Sequence, residues 1–196
     1  MSCFSKSSTG ASHRFQVNRR GFIKFGVLAT VAATFQPARA IAAVTQRLNS
    51  KMNLSFFNTH TGEHLDVCYC KDGVYRSAAL NRIKYLLRDH RTGDTKTIDT
   101  RVLDILYTLS RRLDTPGPFH IISGYRSPAT NAALHRKSPG VATHSFHTQG
   151  MAIDFRVPGC RTNTVHTAAV NLRAGGVGYY PESDFIHVDC GPVRYW

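Results

Sequence analysis

His144-Ser145-Phe146-His147-Thr148-Gln149-Gly150-Met151-Ala152-Ile153-Asp154 runs from a polar loop, across a glycine, into an apolar stretch that reads as a strand from Met151 to Val157. The glycine permits a tight entry to that strand, so His147 and Asp154 can reach a common point although seven residues separate them. Further along, Phe185-Ile186-His187-Val188-Asp189 alternates, placing His187 and Asp189 on one face and Ile186 and Val188 on the other. Two imidazoles and one carboxylate suit a tetrahedral zinc with the fourth position left for water.

Working outward, strands and helices are mixed along the chain. Leu54 to Asn58 and His64 to Cys70 are short apolar runs joined by Thr59-His60-Thr61-Gly62-Glu63, which predicts a hairpin. Residues 78–88 and 101–113 carry helical periodicity, with Ala79, Ile83, Leu86 and Leu87 on one face of the first and Val102, Ile105, Leu106 and Leu109 on one face of the second. Phe119 to Ser123 reads as a buried strand and 128–136 as a helix. Residues 177–180 and 185–189 are further strands, and 164–173 is a helix. Regular βαβ spacing is absent, which predicts one compact α+β domain with a mostly antiparallel sheet flanked by helices.

Composition limits the function classes. The chain has 196 residues, 42% of them hydrophobic and 19% charged, enough for one globular core plus a terminal extension. Of 25 Lys and Arg, six (Lys6, Arg14, Arg19, Arg20, Lys24 and Arg39) fall in residues 1–40, which contain no Asp or Glu. Setting them aside leaves 19 basic against 12 acidic residues, so the net charge of +13 becomes +7. The remaining basic residues are scattered, without the interleaved aromatics of a nucleic-acid surface, so no nucleic-acid partner is expected. An anionic polymer or a membrane surface suits the same charge.

Residues 1–40 read as a signal peptide and 41–196 as the functional domain. Asn18-Arg19-Arg20-Gly21-Phe22-Ile23-Lys24 resembles the twin-arginine export signal; an apolar stretch, Phe25 to Phe35, and the small-x-small site Ala38-Arg39-Ala40 follow. The apolar stretch is too short for a permanent membrane span. The resemblance implies a periplasmic protein handled by the twin-arginine export machinery. Four of the five cysteines would remain after cleavage. Cys68 and Cys70 are badly placed to bond to each other, Cys160 and Cys190 could bridge two strands or stay as free buried thiols, and the lack of a CxxC pair argues against a zinc ribbon. The other histidines, His13, His60, His64, His90, His120, His135 and His166, read as ordinary surface or packing residues.

At its chemical residues the chain resembles the zinc D-Ala-D-Ala peptidase group, related to lysostaphin-type enzymes and Hedgehog domains. Ser145, His147, Gly150, Ala152 and Asp154 match the group's SxHxxGxAxD motif, and Asp184 with His187 matches an acidic residue three before a metal histidine. Ser123-Gly124-Tyr125-Arg126-Ser127 matches its SGYRS segment. Gly176-Val177-Gly178-Tyr179-Tyr180-Pro181 and Arg194-Tyr195-Trp196 look closest to the murein endopeptidase K branch. The resemblance implies one zinc per chain on His147, Asp154 and His187, Asp184 as general base, Arg126 as the cation facing the developing oxyanion, and peptidoglycan peptide stems as substrate.

Ser123, His144, Ser145 and Asp189 are expected to orient ligands or touch substrate. Glu182, two residues before Asp184, is an alternative base. A monomer that cuts peptide cross-links is expected. A zinc D,D-carboxypeptidase and a non-catalytic, metal-containing wall-binding module are the alternatives, and Cys190 beside His187 raises a cysteine-nucleophile reading that lacks the expected Ser-His-Gly-Cys context.

Overall fold

The computed structural model describes residues 51–196 apart from Pro116 and Pro139. The twin-arginine segment, its cleavage site and Cys3 lie outside the described residues. Strands β1 (Lys51–Asn58) and β2 (His64–Lys71) form the expected hairpin. Its turn is held by the Asn58 side-chain carbonyl, which accepts from the N–H groups of His60 and Thr61, while Gly62 takes the left-handed conformation. The same side chain donates from Nδ2 to the Leu86 carbonyl at 2.9 Å, tying the hairpin to the first helix.

Helix α1 (Ser77–Leu86) follows the two-residue strand β3 (Val74–Tyr75), and α2 is Thr100–Arg112. Asp99 starts α2 by accepting from the Arg101 N–H, a cap usually worth about 1 kcal/mol. The apolar stripes read from periodicity are buried, Ala79, Ile83 and Leu86 on α1 and Val102, Ile105, Leu106 and Leu109 on α2, and Leu103 is buried beside them. Helix α1 ends two residues earlier than periodicity suggests. Leu87 is its C-cap, and the Leu87 carbonyl accepts from the Tyr125 N–H, so it serves a loop instead of a further turn.

Strand β4 (Phe119–Ser123), α3 (Pro128–Lys137), β5 (Ala152–Arg156), α4 (Thr162–Val170), β6 (Gly176–Tyr180), β7 (Phe185–Asp189) and β8 (Arg194–Tyr195) complete the domain. All eight strands join one sheet in the order β3-β2-β1-β4-β5-β7-β6-β8. Pairs β1–β4 and β6–β8 are parallel and the others antiparallel, so the fold is α+β with a mostly antiparallel sheet. A parallel pair needs a crossover, and α1 and α2 supply it between β1 and β4. Strands β3 and β8 are too short for alternation to reveal them in the sequence.

The central strands separate structure from chemistry. Ile153, Phe155, Ile186 and Val188 enter the core, where Phe155 meets Phe119 edge-to-face at 5.1 Å between ring centroids. The alternate positions, Asp154 and His187, lie on the other face as direct cross-strand partners. An irregularity in β4 between Ile121 and Ser123 brings Ser123 opposite Asp154 at the sheet end where the site forms.

Candidate metal centre

A single turn of 3-10 helix, Phe146–Gln149, carries His147. Ser145 caps it by accepting from the His147 N–H, and Gly150 ends it in the left-handed conformation. A side chain at Gly150 would also collide with the Thr97 carbonyl, so the loop closes against the chain before α2 only with glycine there. Gly124 has a matching role: a Cβ at that position would stand 2.6 Å from the Leu87 carbonyl. These close approaches bring the SGYRS loop to the histidine turn, where the Arg126 N–H donates to the His147 carbonyl at 3.2 Å.

His147, Asp154 and His187 converge, and all three are buried. His147 Nε2 lies 3.1 Å from Asp154 Oδ1 and 3.2 Å from His187 Nδ1, and His187 Nδ1 lies 2.8 Å from Asp154 Oδ1. The far nitrogen of each ring has a partner that sets its tautomer. His147 Nδ1 faces the Gly124 carbonyl at 2.8 Å, and His187 Nε2 faces Asp189 Oδ2 at 3.0 Å. Both partners are acceptors, so each far nitrogen donates and each near nitrogen is left with a lone pair aimed at the Asp154 oxygen. Three electron-rich atoms pointing at one another call for a positive charge between them, and the cluster can chelate a metal ion.

The titration pattern agrees. Burial pushes the His147 imidazole down against the pull of Asp154. Burial would raise the Asp154 carboxyl, but the two imidazoles outweigh it and hold the group well below the usual carboxylate range. For His187, burial is outweighed by hydrogen bonds to Asp154 and Asp189, which raise it to about 9. A proton on His187 and a bound ion therefore compete for the same lone pair.

Asp189 is fully buried and fully engaged. Besides His187 it accepts from Arg194 Nη1 and Nη2 (3.1 and 2.8 Å) and from the N–H groups of Gly191 and Gly176 (2.8 and 3.3 Å). These contacts, working against burial, hold its carboxyl at about 2. Arg126 points toward Asp154 Oδ2 at 3.5 Å and also donates to Ser123 Oγ and Asn131 Oδ1, both at 3.3 Å. Burial lowers its pKa against the attraction of Asp154, and its Nε has no hydrogen-bond partner.

The cluster opens into a cleft of about 720 Å³ lined in part by Arg126, His144, Phe146, Tyr180, Phe185 and Trp196. His144 is exposed on its rim, whereas Ser145 is buried as the cap of the histidine turn. Asp184 is placed differently. It stands in a left-handed conformation (φ 50°) on the exposed turn before β7, accepts from Thr162 Oγ1 and pairs with Arg156 Nη1 at 3.6 Å. Neither Asp184 nor Glu182 lines the cleft.

Several neighbours carried no sequence motif of their own. Asn131 holds Arg126 and also donates to the Ala142 and Thr143 carbonyls, while Asp89 accepts from the Ser127 N–H behind the arginine loop. Only Gly176 and Gly178, glycines inside a strand, signalled the close packing of Arg194 and Trp196.

The described cysteines, Cys68, Cys70, Cys160 and Cys190, are all unpaired. Burial raises the Cys190 thiol to about 11, and its Sγ contacts the Met151 carbonyl, which disfavours a nucleophilic thiolate. Other histidines pack ordinarily: His60 stacks on His90, His64 and His120 flank Phe57, and His166 stacks on Tyr179.

Residues 46–196 match the protein family described as peptidoglycan L,D-endopeptidase MepK. Over 183 residues the chain is 39% identical to the peptidoglycan L,D-endopeptidase MepK of Escherichia coli strain K12, covering 93% of this chain and 99% of that protein. The protein of the same description from Shigella flexneri matches equally. A probable peptidoglycan L,D-endopeptidase MepK from Haemophilus influenzae is 38% identical over 180 residues, covering 91% of this chain and 95% of the relative.

Proposed function

The chain belongs to the peptidoglycan L,D-endopeptidase MepK family, and from that premise we propose that it is a zinc endopeptidase hydrolysing peptide cross-links of peptidoglycan. The observation that carries the reading is the convergence of His147 Nε2, Asp154 Oδ1 and His187 Nδ1 with both tautomers fixed from behind. Tetrahedral donors at the usual zinc distances of about 2.0–2.2 Å stand about 3.3–3.6 Å apart. The separations here, 2.8–3.2 Å, fit one such ion per chain after slight expansion. When bound, zinc supplies a Lewis acid for the scissile carbonyl and a means of ionising water near neutral pH.

The protein's own groups have separate tasks in this reading. Asp189 and the Gly124 carbonyl hold the two imidazoles in their liganding tautomers. Arg126 meets the negative oxygen that develops as the carbonyl is attacked. Asp184 accepts the proton of the attacking water and returns it to the leaving amine, for which its carboxylate must turn away from Thr162 and Arg156. Ser123 and Asn131 steady Arg126, and His144 contacts substrate at the rim.

Residues 1–40 act as a twin-arginine signal in this proposal, so residues 41–196 work in the periplasm, as a monomer whose proposed ligands all come from one chain. Among the described residues no helix is long and apolar enough to cross a membrane. Zinc-loaded mature protein is expected to convert cross-linked muropeptides into monomers, gaining one water per cut by mass spectrometry, and to stop on chelation. Failure of the zinc-replete protein to cut, or undiminished cutting after chelation, overturns the reading. Replacing Arg19 and Arg20 by Lys should leave the protein in the cytoplasm, and unchanged periplasmic recovery removes the export proposal.

A further inference from the structure

Beside the metal cleft lies a second cavity of about 470 Å³, set against α3. The two share a wall. Gly140, Val141, Ala142 and His144 line the metal cleft, whereas Thr143, His144 and Thr148 line the second cavity. The wall is braced from α3. Asn131, itself buried, donates from Nδ2 to the Ala142 and Thr143 carbonyls, both at 3.1 Å, and His135 Nδ1 faces the Val141 carbonyl. Thr148 Oγ1 donates to the Ser145 carbonyl at 2.7 Å, which ties the same segment to the histidine turn.

The charge of this second cavity is one-sided. His135, Arg136 and His144 line it, and its lining contains no Asp or Glu among the described residues. Arg136 is exposed, and no ion pair among the described residues engages it. Basic side chains in the last turn of a helix offset its dipole, and His135, Arg136 and Lys137 all stand there on α3. That role is common to the three, whereas His135 and Arg136 line the cavity and Lys137 does not. A free guanidinium forks onto a carboxylate with hydrogen bonds roughly twice as strong as neutral ones.

Resting on the endopeptidase reading, we infer that this cavity is a second substrate site, which holds a free carboxylate of a stem peptide away from the scissile bond, with Arg136 as its anchoring cation. The glutamate of a wall stem is linked through its side chain, so its main-chain carboxyl stays free and ionised. It precedes the cross-linking diamino acid by one residue, within reach of a cavity that shares a wall with the cleft.

The test compares kcat/KM of the zinc-loaded mature protein on two cross-linked muropeptide dimers that differ only at this glutamate, free carboxylate in one and carboxamide in the other. The wild type should favour the carboxylate dimer about three- to tenfold, mostly through KM, between the values for an exposed ion pair and a charge-assisted hydrogen bond. Arg136→Gln should bring the two dimers level, and Arg136→Lys should keep part of the preference, because the charge remains without the fork. Lys137→Gln is the control. It removes one charge from the same helix turn and none from the cavity, so the preference should stay at the wild-type value. A wild type without preference, an unchanged preference in Arg136→Gln, or an equal loss in Lys137→Gln overturns the inference, and continued cutting of the carboxamide dimer then leaves the endopeptidase reading intact. A wild type that cuts neither dimer overturns both.

Discussion

The two ends of β7 carry aspartates in opposite circumstances. Asp189 at one end is fully buried, with His187, Arg194 and two backbone N–H groups around its carboxylate. Asp184, just before the other end, is exposed and left-handed in backbone, and its carboxylate contacts Thr162 and Arg156. A buried charge must have its partners in place, so the position of Asp189 is dictated by the fold. An exposed carboxylate can exchange its partners for water at little cost and can move. The difference teaches that these two groups suit different tasks: one holds a ligand still, and the other can approach a substrate.

The largest effect should come from the residue between them. His187→Ala removes a proposed ligand, so zinc content should fall far below one per chain and hydrolysis should drop to background. Elemental analysis beside a muropeptide assay measures both. A zinc-replete, active variant would remove His187 from the metal site.

Asp184→Asn comes next, because it leaves the proposed ligands intact and removes only a proton acceptor. Zinc should stay near one per chain while turnover falls roughly a hundredfold to ten-thousandfold. Glu182→Gln is the control on the same turn. Should the Glu182 variant be the inactive one and the Asp184 variant fully active, the base is Glu182 and the mobile end of the comparison has been misassigned.

A smaller effect is expected at the fixed end. Asp189→Asn keeps the shape but loses the charge that orients His187, so zinc affinity should weaken by about 10–100-fold while turnover at saturating zinc recovers substantially. Metal titration of the folded variant checks this, and wild-type affinity would show that the His187 tautomer does not depend on the charge.

The smallest effect tests the same contrast away from the proposed ligands. Asp89 is buried, and hydrogen bonds from Thr130 and from the Ser127 and Arg91 N–H groups overcome burial to hold its carboxyl well below the usual range. Its folded pKa lies below the unfolded value of about 3.9, so its stabilisation is complete above that pH and drains away as the pH falls. Asp89→Asn should lose about 1–3 kcal/mol at neutral pH, and its urea midpoint should fall less steeply than the wild type's between about pH 5 and pH 3. Parallel slopes would show that Asp89 does not carry this acid sensitivity.

Much of the fold was legible because period and length agreed. The hairpin of β1 and β2, the stripes of α1 and α2, and the alternation of β7 each satisfy a local rule that neighbouring residues alone can express. The His147 and Asp154 pair was readable for a similar reason, since a glycine between a loop and a strand limits where the two side chains can go. Asn131, Asp89 and the seat of Trp196 were not readable as parts of the site, because their partners lie far along the chain and no spacing encodes them.

The sequence by itself determined the α+β class, the order of most elements and the three residues that could share an ion. Residue type and short-range periodicity are sufficient for the class and the elements, and the motif resemblance joins His187 to His147 and Asp154. Only the tertiary structure decided that each histidine is backed by an acceptor, that the Asp184 carboxylate rests outside the cleft, and that the Trp196 ring occupies the space above Gly178. Those outcomes depend on which distant surfaces meet and on which polar groups burial compels to find partners, and packing settles both only when the whole sheet has formed.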